Sequence, residues 1–558
     1  MKKSNYSDFS KQELIDEIIK LNKRTKYGLV WEDKKEDVIE KLAEQFPFFK
    51  ENKDKQIVSD KDYPFNYVIE GDNYQSLAVL NYTHKKKIDV IYIDPPYNTG
   101  ATDWKYNNKF VDNNDSYRHS KWISMMNNRL RLAKELLKSD GALICAIDEN
   151  EIFRLGMLLE QLFPSHEIHC VTIVHNPRGI QGKNFSYTNE FAFFVLPKGK
   201  KIINGIKVED KNIKWRNLRD NGGESDRGDA KNCFYPIIVK NNKVVGFGEV
   251  CKDNFSPKNQ TVKNESDYFV YPIDPKGVEK KWRYARQSVE NIMDLLRVKE
   301  NKGKLEIELG KKTESVKTVW HGSKYDSNEY GKKLVNSILK DISFDYPKSI
   351  WNVYDCISSI LINKKDAIVL DFFAGSGTTG HAVLKLNEED NGKRQFILCS
   401  NNENNIVSKI TYPRVKNVIE GYKDNNTKKK INGIKANLKY LKIDFIDAEY
   451  NDKNIANLFN KSTEIICIKE NSFDLVVNKK DFKIYKNLNH YTGIIYNNLS
   501  ISKFKNEILF FDKKINVYIF SLGDDDYLDE FEDIIDKIKI IPLPQSIIKL
   551  YKKIYNAT

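Results

Sequence analysis

Ile88-Asp-Val-Ile-Tyr-Ile-Asp-Pro-Pro-Tyr97, followed by Asn98-Thr-Gly100, carries the reading of this chain. The apolar run bounded by a Pro pair reads as a short buried strand. Its carboxyl end delivers Asp94 to Tyr97 into a crevice, where open α/β sheets place their chemistry. A second stretch, Val369-Leu-Asp-Phe-Phe-Ala-Gly-Ser-Gly-Thr-Thr-Gly380, reads as another buried strand, a tight glycine turn and the start of a helix running through Lys385. Gly375 and Gly377 let a ligand approach the backbone, and the helix N-terminus offers N–H groups and partial positive charge to a carboxylate. Gly375, Gly377 and Gly380 also spell the dinucleotide-binding G-x-G-x-x-G pattern. A nicotinamide-dependent oxidoreductase is therefore an alternative, but such an enzyme has no use for Asp94 to Tyr97.

An exocyclic amine on a nucleobase is a poor nucleophile, because its lone pair is delocalised into the ring. An Asp side chain and a backbone carbonyl held outward by Pro-Pro can accept both amino hydrogens, and a Tyr ring can stack on the base. The Asp-Pro-Pro-Tyr segment resembles the catalytic motif of amino-methylating DNA methyltransferases, and Asp371 to Thr379 resembles their S-adenosylmethionine loop. The tetrapeptide precedes the loop, as in the circularly permuted β class, where target recognition lies between two catalytic halves. Closer likeness is to the modification (Mod) subunits of type III restriction-modification systems. It rests on Glu70-Gly-Asp-Asn-Tyr74, Trp215-Arg-Asn-Leu-Arg219, Gly222-Gly-Glu-Ser225 and Phe234-Tyr-Pro236, and on Phe344-Asp-Tyr-Pro-Lys348, Asn401-Asn-Glu-Asn-Asn405 and Thr411-Tyr-Pro-Arg414.

The resemblance implies transfer of a methyl group from S-adenosylmethionine to adenine N6 of a flipped base, with no metal and no covalent nucleophile. Asp94 and the carbonyl of Pro95 would accept the amino hydrogens, Pro96 would complete the rigid turn, and Tyr97 would stack on the base. Asp rather than Ser at the first motif position favours adenine, with N4-cytosine left open. For the cofactor, Phe373, Gly375 and Gly377 line the loop, and Thr378 and Thr379 stand where helix N–H groups could hold the methionine carboxylate. Asp371 could pair with the amino group, Glu403 with ribose hydroxyls and Asp72 with the adenine ring. Phe344, Tyr346 and Pro347 resemble the segment that covers the cofactor. Capping a helix is the competing role for Asp72 and Glu403. The family's partners are double-stranded DNA, a second copy of the subunit and a separate ATP-dependent helicase-nuclease.

At 558 residues and 40% apolar content the chain can bury several cores. A net charge of +13 suits a polyanion, although Lys and Asn are also what an A+T-rich genome favours. The seven cysteines form no C-x-x-C pair or zinc-spaced cluster, and His166-Glu-Ile-His169 falls one residue short of H-E-x-x-H. They read as free thiols in a reducing cytoplasm. No apolar run approaches a membrane span, and the start Met-Lys-Lys-Ser-Asn reads as no signal peptide. No G-K-[ST] tripeptide is present for ATP, and no Pro-Asp of the kind common in nuclease centres.

The expected fold is α/β, a doubly wound, Rossmann-like methyltransferase sheet, circularly permuted. Residues 1–60 suggest an amphipathic helix carrying Leu14, Ile15, Ile18, Ile19 and Leu21. Residues 61–200 alternate strands with helices as the first catalytic half, and 335–425 resume that alternation as the second. Between them, 201–334 interleave aromatics with guanidinium groups, and Trp215, Arg216, Arg219, Arg227 and Arg283 are candidate DNA contacts. Residues 426–558 read as a C-terminal α/β domain, serving either as a partner surface or as a self-contained core. There Leu528, Phe531, Ile534, Ile535 and Ile538 recur at helical spacing. An inactive DNA-binding subunit and a solitary or type II methyltransferase complete the alternatives.

Overall fold

The computed structural model describes residues 10–12, 14–15, 29–107, 109–181, 183–208, 210–301, 303–340, 344, 347–449, 451–487, 489–521, 527–543 and 545–557. Of the expected N-terminal helix, Leu14 and Ile15 have helical backbone, whereas Ile18, Ile19 and Leu21 lie outside the described residues, as does Tyr346. The chain forms two compact units, Met1–Asn204 with Lys317–Thr558, and Gly205–Val316.

In the first unit, the described residues place ten strands in one mixed sheet. In chain order they are β1 (Gln45–Glu51), β2 (Phe65–Glu70), β3 (Ile88–Ile93), β4 (Leu137–Ile147), β5 (His166–Val174), β6 (Asn189–Pro197), β7 (Val319–Trp320), β8 (Ile368–Asp371), β9 (Gln395–Ser400) and β10 (Asn437–Asp447). Their spatial order is β1-β10-β2-β9-β8-β3-β4-β6-β5-β7. From β10 to β4 every neighbour is parallel, while β6 runs antiparallel to both β4 and β5. All six residues of β3 are buried, as parallel strands covered on both faces require.

Helices α1 (Asn73–Thr83), α2 (Arg118–Leu136), α3 (Ile152–Leu162), α4 (Ile350–Leu361), α5 (Thr378–Asp390) and α6 (Tyr412–Glu420) cover the sheet. From β8 the chain crosses through α5 to β9 on one side, and from β3 through α2 to β4 on the other. The winding direction therefore switches between β8 and β3, which opens a crevice at their carboxyl ends. This is a Rossmann-like, doubly wound arrangement, with β3 early and β8 late in the chain.

Strands β11 (Asp474–Asn478), β12 (Phe482–Lys486), β13 (Tyr491–Ile495), β14 (Ile515–Phe520) and β15 (Ile538–Leu543) make a smaller mixed sheet with its own apolar core around Phe482, Ile484, Phe504 and Val517. Other residues of this region, among them Ile547, Ile548 and Tyr551, join the core of the large sheet. The helical spacing of 528–538 resolves differently: Asp529–Lys537 is a 3₁₀ segment broken at Ile534, and Ile538 starts β15. The β-branched run Ile538, Ile540 and Ile541 is taken by the parallel ladder on β14.

The second unit holds a three-stranded sheet ordered Lys214–Asn217, Lys304–Lys311, Leu296–Asn301, and a four-stranded one ordered Lys243–Phe247, Ile237–Lys240, Asp267–Val270, Thr261–Asn264. They share a core that includes Leu218, Tyr235, Ile237, Val270, Trp282 and Leu309.

Candidate active site

Strands β3 and β8 are hydrogen-bonded neighbours, with Val90 opposite Val369 and Ile91 opposite Leu370. Asp94 and Asp371 therefore leave adjacent strands side by side, which brings the two sequence motifs to one crevice.

The turn after β3 is locked from several directions. The Trp122 indole of α2 donates to the Pro96 carbonyl at 2.6 Å. Asn98, fully buried and left-handed at φ 58°, donates to Glu151 at 2.5 Å and accepts from the Trp104 indole at 3.1 Å. Among the described residues no donor reaches the Pro95 carbonyl. Such a turn keeps its acceptors fixed before any ligand arrives.

Three side chains that the motif does not contain surround it. β6 runs opposite to β4, so its amino end reaches the carboxyl edge of the parallel strands and places Glu190 there, 3% exposed. Lys348 precedes the N-terminus of α4, and its ammonium contacts Glu190 and the Tyr97 hydroxyl and lies 3.3 Å from Asp94. Asn352 of α4 donates to the other Glu190 oxygen at 2.6 Å, and the Tyr97 hydroxyl donates to Glu190 at 3.2 Å. The ammonium also sits 4.5 Å from the Tyr97 ring centroid. Burial pushes Glu190 up and Lys348 down, but Lys348 with His175 outweighs this for Glu190, and Asp94 with Glu190 outweighs it for Lys348, leaving Glu190 below and Lys348 above their ordinary ranges. For Asp94 burial wins over Lys348, and its carboxyl is raised.

At the end of β8, Asp371 is 2% exposed; its oxygens accept from the Phe373 N–H at 2.9 Å and the Thr379 hydroxyl at 2.6 Å. Burial raises it to about 7, and the Asp94 charge adds to this. Gly375 has φ 47°, and among the described residues a Cβ there would meet Phe344 and the Phe373 carbonyl, each at 3.8 Å. Phe344 thus covers this glycine, with Pro347 just before Lys348. Gly377, at φ 78°, heads α5 without a capping side chain. Its crowding comes from within the protein: a Cβ would lie 3.3 Å from Thr411 and 3.5 Å from Val415.

Behind the loop, Arg414 of α6 is completely buried and donates to the Ser376 hydroxyl at 3.0 Å and the Thr378 hydroxyl at 2.9 Å. Its other contacts are the Ser376 carbonyl and the His381 ring, and burial lowers it to about 10. The hydroxyls of Thr378 and Thr379 are thus engaged inside the protein. What α5 offers a ligand is its uncapped amide groups, with a cation behind them. These features fit a carboxylate at the loop, and the acidic crevice beside it fits a sulfonium.

Asp72 caps α1, accepting from the Tyr74 N–H at 2.7 Å, with its other oxygen 3.8 Å from the buried Arg129. Arg129 also binds Asn73, which donates to the Phe372 carbonyl, so α1 is tied to the loop. Glu403 follows β9 and is ion-paired with Lys105. Described residues contain no cluster of His, Cys, Asp or Glu able to hold a metal ion.

In the second unit, Arg216 and Arg283 are exposed and Trp215 is half-buried against the Arg297 guanidinium. Arg283 lies 3.3 Å from Asp220. The other two arginines are engaged internally. Arg219 donates to the Ile273 carbonyl at 2.5 Å, and Arg227 binds Glu279 at 2.8 Å together with the carbonyls of Lys252 and Phe255. Periodicity and composition could not separate these two groups.

Glu190, Lys348, Asn352 and Arg414 carry no role in the sequence reading. Lys348 and Arg414 do close two of its quoted motifs, and Glu190 is an acidic residue opening an apolar strand.

A family model described as DNA methylase matches residues 88–412. The chain is similar to the type III restriction-modification enzyme EcoPI Mod subunit of Escherichia phage P1, 29% identical over 386 residues, covering 61% of this chain and 58% of that one. It is also similar to the type II methyltransferase M.KpnI of Klebsiella pneumoniae, 30% identical over 364 residues, covering 61% and 82%. The StyLTI Mod subunit of Salmonella typhimurium is 27% identical, covering 62% and 54%. The chain thus spans little more than half the length of these two Mod relatives. Among solved structures, the M1.HpyAVI-SAM complex aligns with 14% identity and a TM-score of 0.28, covering 62% of this chain and 98% of that one.

Proposed function

Because the chain belongs to the DNA methylase family, with residues 88–412 matching its model, we propose that it transfers a methyl group from S-adenosylmethionine to adenine N6 in a specific duplex DNA sequence. The observation that carries this reading is the adjacency of β3 and β8, which sets Asp94 beside a glycine loop at one switch point. When bound, S-adenosylmethionine supplies a methyl group already activated on its sulfonium. The protein's part is positioning and charge. Asp94 and the Pro95 carbonyl accept the hydrogens of an adenine amine and restore its lone pair. Tyr97 presents a ring to the flipped base, worth roughly 1–3 kcal/mol of stacking. Phe344 and Gly375 bound the cofactor space, and the amides of α5 with Arg414 behind them hold its carboxylate.

The chain is further read as the modification subunit of a type III restriction-modification system, acting in the cytoplasm as a homodimer beside a separate helicase-nuclease. Trp215, Arg216 and Arg283 are read as DNA contacts of the inserted unit. A second reading, a type II methyltransferase, draws on M.KpnI, of which 82% of the length is covered.

Incubation with tritiated S-adenosylmethionine and unmethylated duplex DNA, followed by nucleoside chromatography, tests both the chemistry and the target atom. Label is expected in N6-methyl-2′-deoxyadenosine without ATP, and the DNA is expected to stay uncut. Label in N4-methyl-2′-deoxycytidine, or none, refutes the adenine reading. Co-purification with a helicase-nuclease separates type III from type II.

A further inference from the structure

The proposed methyl transfer makes a demand on Asp94 that the turn alone does not meet. As the bond from the amine nitrogen to the methyl carbon forms, the bond from that carbon to sulfur breaks. The positive charge passes from sulfur to nitrogen, and one proton leaves nitrogen for the Asp94 carboxylate and then for solvent. Asp94 must therefore start the reaction ionised, because a protonated carboxyl presents its own O–H and loses half its accepting capacity.

The surroundings of Asp94 oppose that state. Tyr92 and Tyr97 face it from its own strand and turn, Cys145 from β4, Glu190 from β6 and Asp371 from β8, while Asp148 past the end of β4 and Cys356 of α4 face Lys348. His175, beyond β5, faces Glu190. Every charged member of that set adjoining Asp94 is a carboxylate, except Lys348. Among the described residues, Lys348 is the cation within ion-pair distance of Asp94, at 3.3 Å. Its side chain is 11% exposed, and Glu190 and Tyr97 both contact its ammonium. Asn352 occupies the second Glu190 oxygen and so holds that anchor in place.

We propose that Lys348, anchored by Glu190 and Asn352, is a positioning residue that holds Asp94 in its ionised, hydrogen-accepting state. The proposal rests on the adenine-methyltransferase reading above. An ordinary buried ion pair, tying the segment before α4 to β6, would need Lys348 and Glu190 alone. The approach to Asp94 is what distinguishes the arrangement: the ammonium bridges the acceptor of the reaction and an anchor that takes no part in it. A cation there also lowers the repulsion that Asp94, Glu190 and Asp371 would otherwise exert on one another.

The test compares single-turnover methyl transfer by the full chain and by Lys348→Met, Lys348→Arg and Glu190→Gln across pH 5.5 to 9. The substrate is a long unmethylated duplex containing every hexanucleotide, with labelled S-adenosylmethionine as donor. Lys348→Met is expected to move the acid limb of the rate profile upward by at least one pH unit and to regain most of the wild-type rate near pH 9. Lys348→Arg keeps the charge and is expected to keep the limb within about half a unit. Glu190→Gln leaves the ammonium to Asp94 alone and is expected to move the limb downward. A Lys348→Met protein with an unshifted limb, or with equal losses at every pH, overturns the proposal while wild-type activity leaves the methyltransferase reading standing. If Lys348→Met does not fold, a Glu190→Gln limb that stays put or moves upward overturns it. Wild-type protein that transfers no methyl to adenine overturns the reading and the proposal together.

Discussion

Gly375 and Gly377 stand two residues apart in one loop, yet replacing each by Ala is expected to fail for a different reason. Both have positive φ, so an alanine at either costs about 1–2 kcal/mol of backbone strain. At Gly375 the added methyl meets none of the described residues nearer than 3.8 Å, so that strain is nearly the whole stability cost. The methyl instead fills space beneath Phe344 that the cofactor is proposed to use. Overpacking of about 1–3 kcal/mol then falls on binding, a loss of affinity of roughly 5- to 150-fold. At Gly377 the methyl lies 3.3 Å from the Thr411 side chain and 3.4 Å from its carbonyl, and Thr411 itself holds the Gly375 carbonyl at 2.6 Å. The overpacking there is internal, so strain and crowding together remove about 2–5 kcal/mol from the ligand-free fold. Urea denaturation without ligand and calorimetric titration with S-adenosylmethionine separate the two. A Gly375→Ala protein that binds S-adenosylmethionine with wild-type affinity refutes the placement of the cofactor. A Gly377→Ala protein as stable as the wild type refutes the packing argument.

Asp94→Ala is expected to slow methyl transfer by about 10²–10⁴-fold while leaving S-adenosylmethionine affinity within a few-fold, as rapid-quench and titration experiments would establish. The Asp371 carboxyl is raised to about 7 by burial, so in the ligand-free protein it stabilises the fold below its unfolded value near 4 and loses that contribution as pH rises through 7. A cationic amine prefers the ionised form, so S-adenosylmethionine affinity should climb with pH up to about 7.5 and then level; a flat profile from pH 5.5 to 8 counts against Asp371 as its partner. Arg414→Met strips donors from the Ser376 and Thr378 hydroxyls and takes a cation from behind α5. Weaker S-adenosylmethionine binding is expected, together with about 1–3 kcal/mol lost on denaturation, and unchanged binding would make Arg414 purely a packing element. Exchanging residues 205–316 for the counterpart in a related enzyme should change the methylated sequence and keep adenine N6 as the target atom; a folded, active chimera that keeps the original site places recognition elsewhere.

The strands that build the crevice were readable in advance because full burial on both faces makes β3 from Val90 and β8 up to Leu370 short apolar runs, and Pro or Gly follows soon after each. Residues that complete the crevice left weaker traces. Glu190 arrives there only because β6 enters the sheet in reverse, and that direction is a property of the assembled sheet. The arginines of the inserted unit show the same limit. Arg216 and Arg219 are three residues apart in one short motif, yet one is exposed and the other donates to the Ile273 carbonyl. Spacing also misled where two structures satisfy it: Ile534, Ile535 and Ile538 fit a helical stripe, but a parallel neighbour at β14 claimed the β-branched residues beyond Lys537.

The pairing of Val90 with Val369 has a consequence for how the protein is made. About 280 residues separate these partners, and a ribosome adding 5–20 residues per second needs roughly 14–56 s to travel between them. During that interval the nascent chain carries Ile88 to Ile93 as an apolar strand with one edge unfilled, the kind of edge on which chains stick to one another. Until β8 emerges the glycine loop does not exist, so no partially made chain can bind the methyl donor. Activity and protection from aggregation therefore arrive together, late in synthesis, when one strand slides into the gap that the first half has kept open.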